Sequence, residues 1–501
     1  YNLFRGIFMG IEVRLKNRPL SLIRILFICL TIFTLAFTLT NCATNPVTGR
    51  TQLMLFSEEE ELRMGKEWYP SIMWGGEGGG GEYRDEKLRS YLNDIVQALQ
   101  GASHRPHIKV EFAIQNSSVP NAWAIPGYVS MTRGLLAGLE SEAEFAYVMG
   151  HEIGHVAVRH SASQLSKGIF MSFILQGASL AMGSSPYSDA ALALGSIGGN
   201  LLMLKYSRDD ELVADRLGVE YMAKVGYLPK NAINAHKNLE RASQEYLKAV
   251  GKNSEEGGFF TDLLSTHPRT SVRIDELEKI IRDTSVNAIR GDGTNRLAFL
   301  NATAELRKTH RLYVDYYDKA VKNLKENKID EAKHLILEAI KEKKDEAPFQ
   351  ALYGFILVRK DNLNEAEVYF NNALKLHAQY QPAYRGLGII YYKKNDNQKS
   401  IAYLKKAIQL FPDDMPSFYF MGMNYYKMNM HHEAIKYLKS FSEVYPKHPT
   451  VHGTLGTCYE KTNNLKAAYE EYTMQIKVAP DNEMGRYART RLNILRNYFI
   501  K

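Results

Sequence analysis

From about residue 313 to 480 the chain repeats itself. Gly354, Gly388, Gly422 and Gly456 stand 34 residues apart, as do Ala332, Ala366, Ser400, Ala434 and Ala468, and again Pro412, Pro446 and Pro480. A period of this length is one supersecondary unit that cannot bury its apolar face alone, so units must stack. Apolar and aromatic positions such as Tyr384, Leu387 and Tyr391 run between the small residues. Each unit therefore reads as a helix–turn–helix. The small residues let paired helices approach, and proline closes a unit where its missing N–H does no harm. Five units are expected, the first degenerate, with a closing helix near 486–498.

With 501 residues, more than one domain is expected. The net charge of +8 is partly local. Arg5, Arg14, Lys16, Arg18 and Arg24 against Glu12 put +4 into residues 1–41. No basic cluster is interleaved with aromatics in the manner of a nucleic-acid face, so no nucleic-acid partner is expected. The basic residues precede "ILFICLTIFTLAFTL" (25–39), then "LTNC" ending at Cys42. This pattern resembles a bacterial lipoprotein signal over 1–41, with Cys42 as the lipidated first residue of an exported, outer-membrane-anchored protein; the other reading is an uncleaved anchor. Cys29, Cys42 and Cys458 do not make a disulfide scaffold. "WGGEGGGGEY" (74–83) reads as a flexible surface loop, since it lacks the ending of a phosphate loop. Short β-rich runs follow at 108–114 and 128–132. The apolar run 168–204 reads as a buried hairpin or as a membrane contact. The expected domains are 43–283, a linker over 284–312, and the repeats over 313–501.

The chemistry lies in "GHEIGHVAVRH" (150–160). Ser141 and Glu144 open an apolar helix there. Residues four apart share a helix face, so His151 and His155 offer their imidazoles to one metal from consecutive turns. Glu152 projects beside them as a general base toward a metal-activated water. His160 lies about 900° from His151, hence on the opposite face; it reads as a polar residue near the helix end, where a cationic side chain is favourable. The third ligand is expected in "SRDDELVADRLG" (207–218). Glu211 and Asp215 share a face there, Glu211 as ligand and Asp215 as the acceptor that orients a ligand histidine. Asp209 and Asp210 read as solvated acids.

HEIGH, "SRDDELVAD" some 55 residues on, the preceding "NAWAIPGYVSMTRGLL" (121–136) and "STHPRTSVRI" (265–274) together resemble the M48 family of zinc metallopeptidases. The repeats resemble tetratricopeptide repeats. The resemblance implies a mainly α fold: an α+β catalytic domain with a small edge sheet and a zincin-like helix, followed by an all-α superhelix. It implies one zinc per chain on His151, His155 and Glu211, with Glu152 as base. It also implies proteolytic quality control of envelope or outer-membrane proteins, with the repeats recruiting substrates or assembly machinery. Asn121, Gly127, Tyr128 and Val129 are expected at an edge strand that pairs with extended substrate. His267 has two readings, a cap on the zinc's open position or a tether for its own loop. A second class of function is an envelope chaperone or adaptor with a latent or structural zinc site.

Overall fold

The computed structural model describes residues 42–45, 47–75, 79–169, 206–251 and 271–499. The leader 1–41, most of the apolar run 168–204 and His267 lie outside the described residues, as does the side chain of Cys42. No helix among the described residues is long and apolar enough to cross a membrane.

The first half is built on a short sheet and a buried helix. Strands β1 (Cys42–Thr44) and β2 (Thr51–Leu53) form an antiparallel pair. Helix α1 (Glu58–Trp74) starts at Ser57, whose side chain and that of Glu60 close a capping box. Helix α2 (Glu86–Ala102) follows. Strands β3 (Glu111–Gln115), β4 (Ala122–Ile125) and β5 (Tyr128–Thr132) form one sheet in the order β3-β5-β4. β5 runs parallel to β3 and antiparallel to β4. Between β4 and β5, Pro126 and Gly127 make the turn, and Gly127 has the positive φ of 85° that suits glycine there. Alternation splits the strands: Ala122, Ala124, Val129 and Met131 join the main core, while Trp123 and Ile125 pack with Ile72 and Met73 of α1.

Helices α3 (Arg133–Gly138), α4 (Glu142–Val158), α5 (Arg208–Lys224), α6 (Asn231–Val250) and α7 (Ser271–Asp283) complete this half. Every residue of α4 except Val148 is buried, the polar Glu142, Glu144, His151, Glu152 and His155 included. α4 and α5 approach at glycines: a Cβ on Gly218 would stand 3.1 Å from the His151 nitrogen and the Tyr147 carbonyl oxygen, and one on Gly150 3.1 Å from the Gly218 carbonyl oxygen. That notch brings the side chains of α5 onto the histidines of α4.

The repeats form paired helices over 313–342, 347–376, 381–410, 415–444 and 451–478, with a closing helix at Glu483–Phe499. The periodic glycines each meet a large side chain sixteen residues on: Gly354 meets Phe370, Gly388 Leu404, Gly422 Leu438 and Gly456 Tyr472. Between the helices of each pair, Asn327, Asp361, Asn395, Asn429 and Asn463 adopt the left-handed conformation, which Asn and Asp tolerate best after glycine.

Two expectations are corrected here. The stretch 284–312 is not a linker: helices at Arg296–Ala302 and Ala304–Leu312 fill its second half, and Phe299 and Leu306 are fully buried in the first half's core. The turns before them are tied to the first half as well, with Leu228 N–H donating to Gly293 O and Arg290 N–H to Gly226 O. Nor is the described part of the glycine-rich stretch a free surface loop. Gly80 N–H donates to Asn116 O, Gly81 packs on the Trp74 ring, and Tyr380 of the repeats donates to the Gly79 carbonyl at 2.8 Å. A buried polar joint lies beside it. Arg133, fully buried, donates to Asn116 Oδ1 and Ser118 Oγ and lies 3.7 Å over the Tyr313 ring.

Candidate metal centre

Three donors converge between α4 and α5. His151 Nε2 and His155 Nε2 lie 3.1 Å apart, and the Glu211 carboxylate oxygens stand 3.4 Å from His155 Nε2 and 3.7 Å from His151 Nε2. They are the one such cluster among the described residues, and each is buried. Ligands about 2 Å from a tetrahedral ion stand roughly 3.3 Å from one another, so the spacing suits one. Glu152, Glu211 and Asp215 are at most 4 % exposed, and Arg273 pairs with two of them. Burial holds the His155 imidazole well below its usual pKa against the pull of Glu211, so it is neutral, as a metal ligand must be.

Behind His151 is a second layer of contacts. Asp215 Oδ1 lies 3.0 Å from His151 Nδ1. Arg273 donates to both oxygens of Asp215 from Nε and Nη2, at 2.8 and 2.7 Å, while its Nη1 pairs with Glu211 at 2.8 Å. The Tyr147 hydroxyl donates to Asp215 Oδ1 at 2.9 Å and lies 2.8 Å from His236 Nε2. Burial would raise the Asp215 carboxyl, but the bonds from His151 and Arg273 outweigh it and hold it below the usual carboxylate range. Asp215 is thus a fixed anion facing His151.

His160 is not on the opposite face. The helix stops at Arg159, which adopts φ 60° and donates its N–H to His155 O and Val156 O, with its guanidinium tied to Glu61 and to Phe56 O. A second helical run, 160–169, starts from that break. His160 Nδ1 consequently lies 2.8 Å from His155 Nδ1, and its Nε2 3.3 Å from Asp210 Oδ1. Burial pushes its pKa below the ordinary imidazole value, against the pull of Asp210 and Glu211. Tyr206 stacks on His155 at 4.0 Å and its hydroxyl lies 3.1 Å from Ser161 Oγ. At the other end of the helix, Ser141 caps the Glu144 N–H, while Glu144 itself reaches the Glu140 N–H rather than that of Ser141.

The expected edge strand is misplaced by one. Tyr128 and Val129 lie on β5, the central strand, paired on both sides. β3 is covered on its outer side, where Tyr83 and Asn116 exchange backbone bonds with Ile114 and Gly81. β4, which begins just after Asn121, has no strand on its outer side among the described residues. Thr132 donates to Asn121 O, so by alternation the backbone groups of Ala122 and Ala124 point outward.

The sequence of this region matches a known family. Residues 84–281 match the family described as "Peptidase family M48". This chain carries an M48 peptidase domain. Residues 381–414 and 417–448 each match a tetratricopeptide repeat. Among relatives, the chain is 31 % identical over 185 residues to the mitochondrial metalloendopeptidase OMA1 of Arabidopsis thaliana, covering 37 % of this chain and 34 % of that one. It is 26 % identical to OMA1 of Schizosaccharomyces pombe, over 49 % of this chain and 68 % of that one. It is 26 % identical to the beta-barrel assembly-enhancing protease of Escherichia coli, over 38 % of each chain. The chain thus spans about a third of the plant and bacterial relatives and about two thirds of the yeast one.

Tyr147, His236, Arg273 and the pair His160–Asp210 escaped the reading of the sequence. Tyr147 carried a signal, since it stands four residues before His151 on the same helix face. Arg273 also carried one, as a cation inside "STHPRTSVRI" (265–274), a segment that bears part of the family resemblance. His236 carried none.

Proposed function

We propose that the M48 domain is a zinc-dependent endopeptidase, with one zinc per chain held by His151, His155 and Glu211. The observation that carries this reading is the convergence of two imidazole nitrogens and one carboxylate, all buried, on the helix face next to Glu152. A zinc bound there supplies a Lewis acid and an acidified water. Glu152, next to His151 on α4, accepts the water's proton on its carboxylate and passes it to the leaving amine. Asp215, fixed by Arg273 and Tyr147, holds the His151 ring with Nε2 toward the metal. An extended substrate backbone pairs with β4 at Ala122 and Ala124, which corrects the assignment to Tyr128 and Val129.

The proposed substrates are misfolded or unassembled envelope proteins, and the repeats recruit them or an assembly machine. The likeness to the beta-barrel assembly-enhancing protease of Escherichia coli and the stacked repeats support this reading. Lipidation at Cys42 and a periplasm-facing, outer-membrane location belong to the same proposal.

The test is zinc per chain and cleavage of unfolded casein by wild type and Glu152→Gln. The expected result is about one zinc in both proteins and cleavage by wild type alone. Zinc in both with cleavage by neither would replace the enzyme with the adaptor reading.

A further inference from the structure

The two histidines of the site are held differently. His151 Nδ1 faces a carboxylate directly, Asp215 Oδ1 at 3.0 Å. His155 Nδ1 faces a third histidine, His160 Nδ1 at 2.8 Å, and the far nitrogen of that ring, Nε2, faces Asp210 Oδ1 at 3.3 Å. Resting on the reading that His155 is a zinc ligand through Nε2, the proton positions along this row are determined. A neutral His155 with a bare Nε2 carries its hydrogen on Nδ1. That N–H points at His160 Nδ1, which must therefore be a bare acceptor. A neutral His160 then carries its hydrogen on Nε2, where it donates to Asp210. Reversing any member places two hydrogens, or two lone pairs, face to face.

We propose that His160 is a positioning residue for the metal site, fixing the ring orientation and tautomer of His155 through a His155–His160–Asp210 row. It does for His155 what Asp215 does for His151. Three features of the fold serve the row. The left-handed turn at Arg159 folds His160 back against His155, and Arg159 is itself tied to Glu61. Tyr206 stacks on His155 at 4.0 Å, limiting the rotation of that ring, and lies beside His160 at 5.8 Å. Asp210 is oriented by its other oxygen, Oδ2, which accepts from the Ser207 N–H and hydroxyl at the start of α5. One carboxylate thus caps α5 and terminates the row. Asp210, read from the sequence as a solvated acid, has a partner on each oxygen.

Partners that orient ligand histidines are typically worth about 10- to 100-fold in metal affinity. The experiment measures zinc affinity of the full chain by competition with a chromophoric chelator, together with the visible spectrum of the cobalt(II)-loaded protein and the unfolding midpoint of the metal-free protein. His160→Leu removes the acceptor, whereas His160→Asn puts an amide oxygen near the position of Nδ1. The expected result is a loss of about 10- to 100-fold in zinc affinity for His160→Leu, with a changed cobalt spectrum, and recovery of most of both by His160→Asn. Asp210→Ala is expected to lose a smaller factor. Wild-type zinc affinity and spectrum in His160→Leu would overturn the proposal. So would an equal loss in His160→Leu and His160→Asn that tracks a fall in metal-free stability, since that marks a packing role. Should His160→Leu fail to fold, wild-type affinity in Asp210→Ala would overturn it as well. A wild-type chain that binds no zinc would instead refute the enzyme reading on which this inference rests.

Discussion

The two halves of the molecule solve burial in opposite ways. The repeats bury few charged groups, Asp318 and Asp414 among them: small residues receive rings and leucines, as Gly388 receives Leu404, and Lys393 and Lys394 stay at the surface paired with Asp361 and Glu367. The peptidase half buries Glu152, His151, His155, Glu211, Asp215 and Arg273 where α4, α5 and α7 meet. A solenoid's stability is a sum of nearest-neighbour contacts, each replaceable by a similar one. A buried polar centre has no such tolerance, because each group's cost is offset by named partners. One half should therefore respond to mutation as a packing problem, and the other as an electrostatic one.

The sharpest break should come at Arg273. Arg273→Met leaves Asp215 and Glu211 buried without their cation, and breaking a buried pair in this way costs about 3–5 kcal/mol. Chemical unfolding of the metal-free protein measures it, and added zinc should recover part of the loss through Glu211. Gly388→Val is the matching change in the repeats. Its Cβ would fall 2.6 Å from Leu404 Cγ and Cδ2, an overpacking worth about 1–3 kcal/mol. The repeats should lose stability by hydrogen exchange while zinc affinity stays at the wild-type value; a parallel loss of zinc would mean that the halves are not independent.

Tyr313→Phe sharpens the comparison at the joint. The hydroxyl accepts from Asn116 Nδ2 at 2.9 Å and donates to Glu346 at 3.0 Å, while the ring under Arg133 is retained. A loss of about 1 kcal/mol is expected, felt in the unfolding of both halves. The smallest effect is one of pH. The hydrogen bond to Glu471 raises the His452 pKa above its usual value. The stability it contributes is complete below about pH 6.5 and falls as pH rises through the folded-state value. His452→Gln should flatten that part of the stability profile and leave the metal centre unaffected.

The same contrast decides what was legible in the sequence. Repetition exposes the solenoid, because five copies place small residues, prolines and helices in phase. Chemistry exposes His151, Glu152, His155 and Glu211, because i, i+4 spacing on a helix is local geometry. The row through His160 was hidden by one residue. Arg159 is an arginine in a left-handed conformation, and nothing in "VAVRHS" marks a helix break of the kind glycine would announce. The central place of β5 was hidden by a long-range fact, the parallel pairing of β3 with β5 across the β4 hairpin strand. Phe299 and Leu306 were obscured by the glycine-rich turn preceding them. In each case the decisive contact joins residues whose spacing carries no period.

The account rests on one ion held by three side chains. An anomalous difference map collected at the zinc absorption edge from crystals of the zinc-loaded protein tests this directly. The prediction is one strong peak per chain bonded to His151 Nε2, His155 Nε2 and a Glu211 oxygen, with Glu152 unbonded beside it. A peak ligated by Glu152 with a closed fourth protein ligand, or a peak only at other residues, would contradict the account.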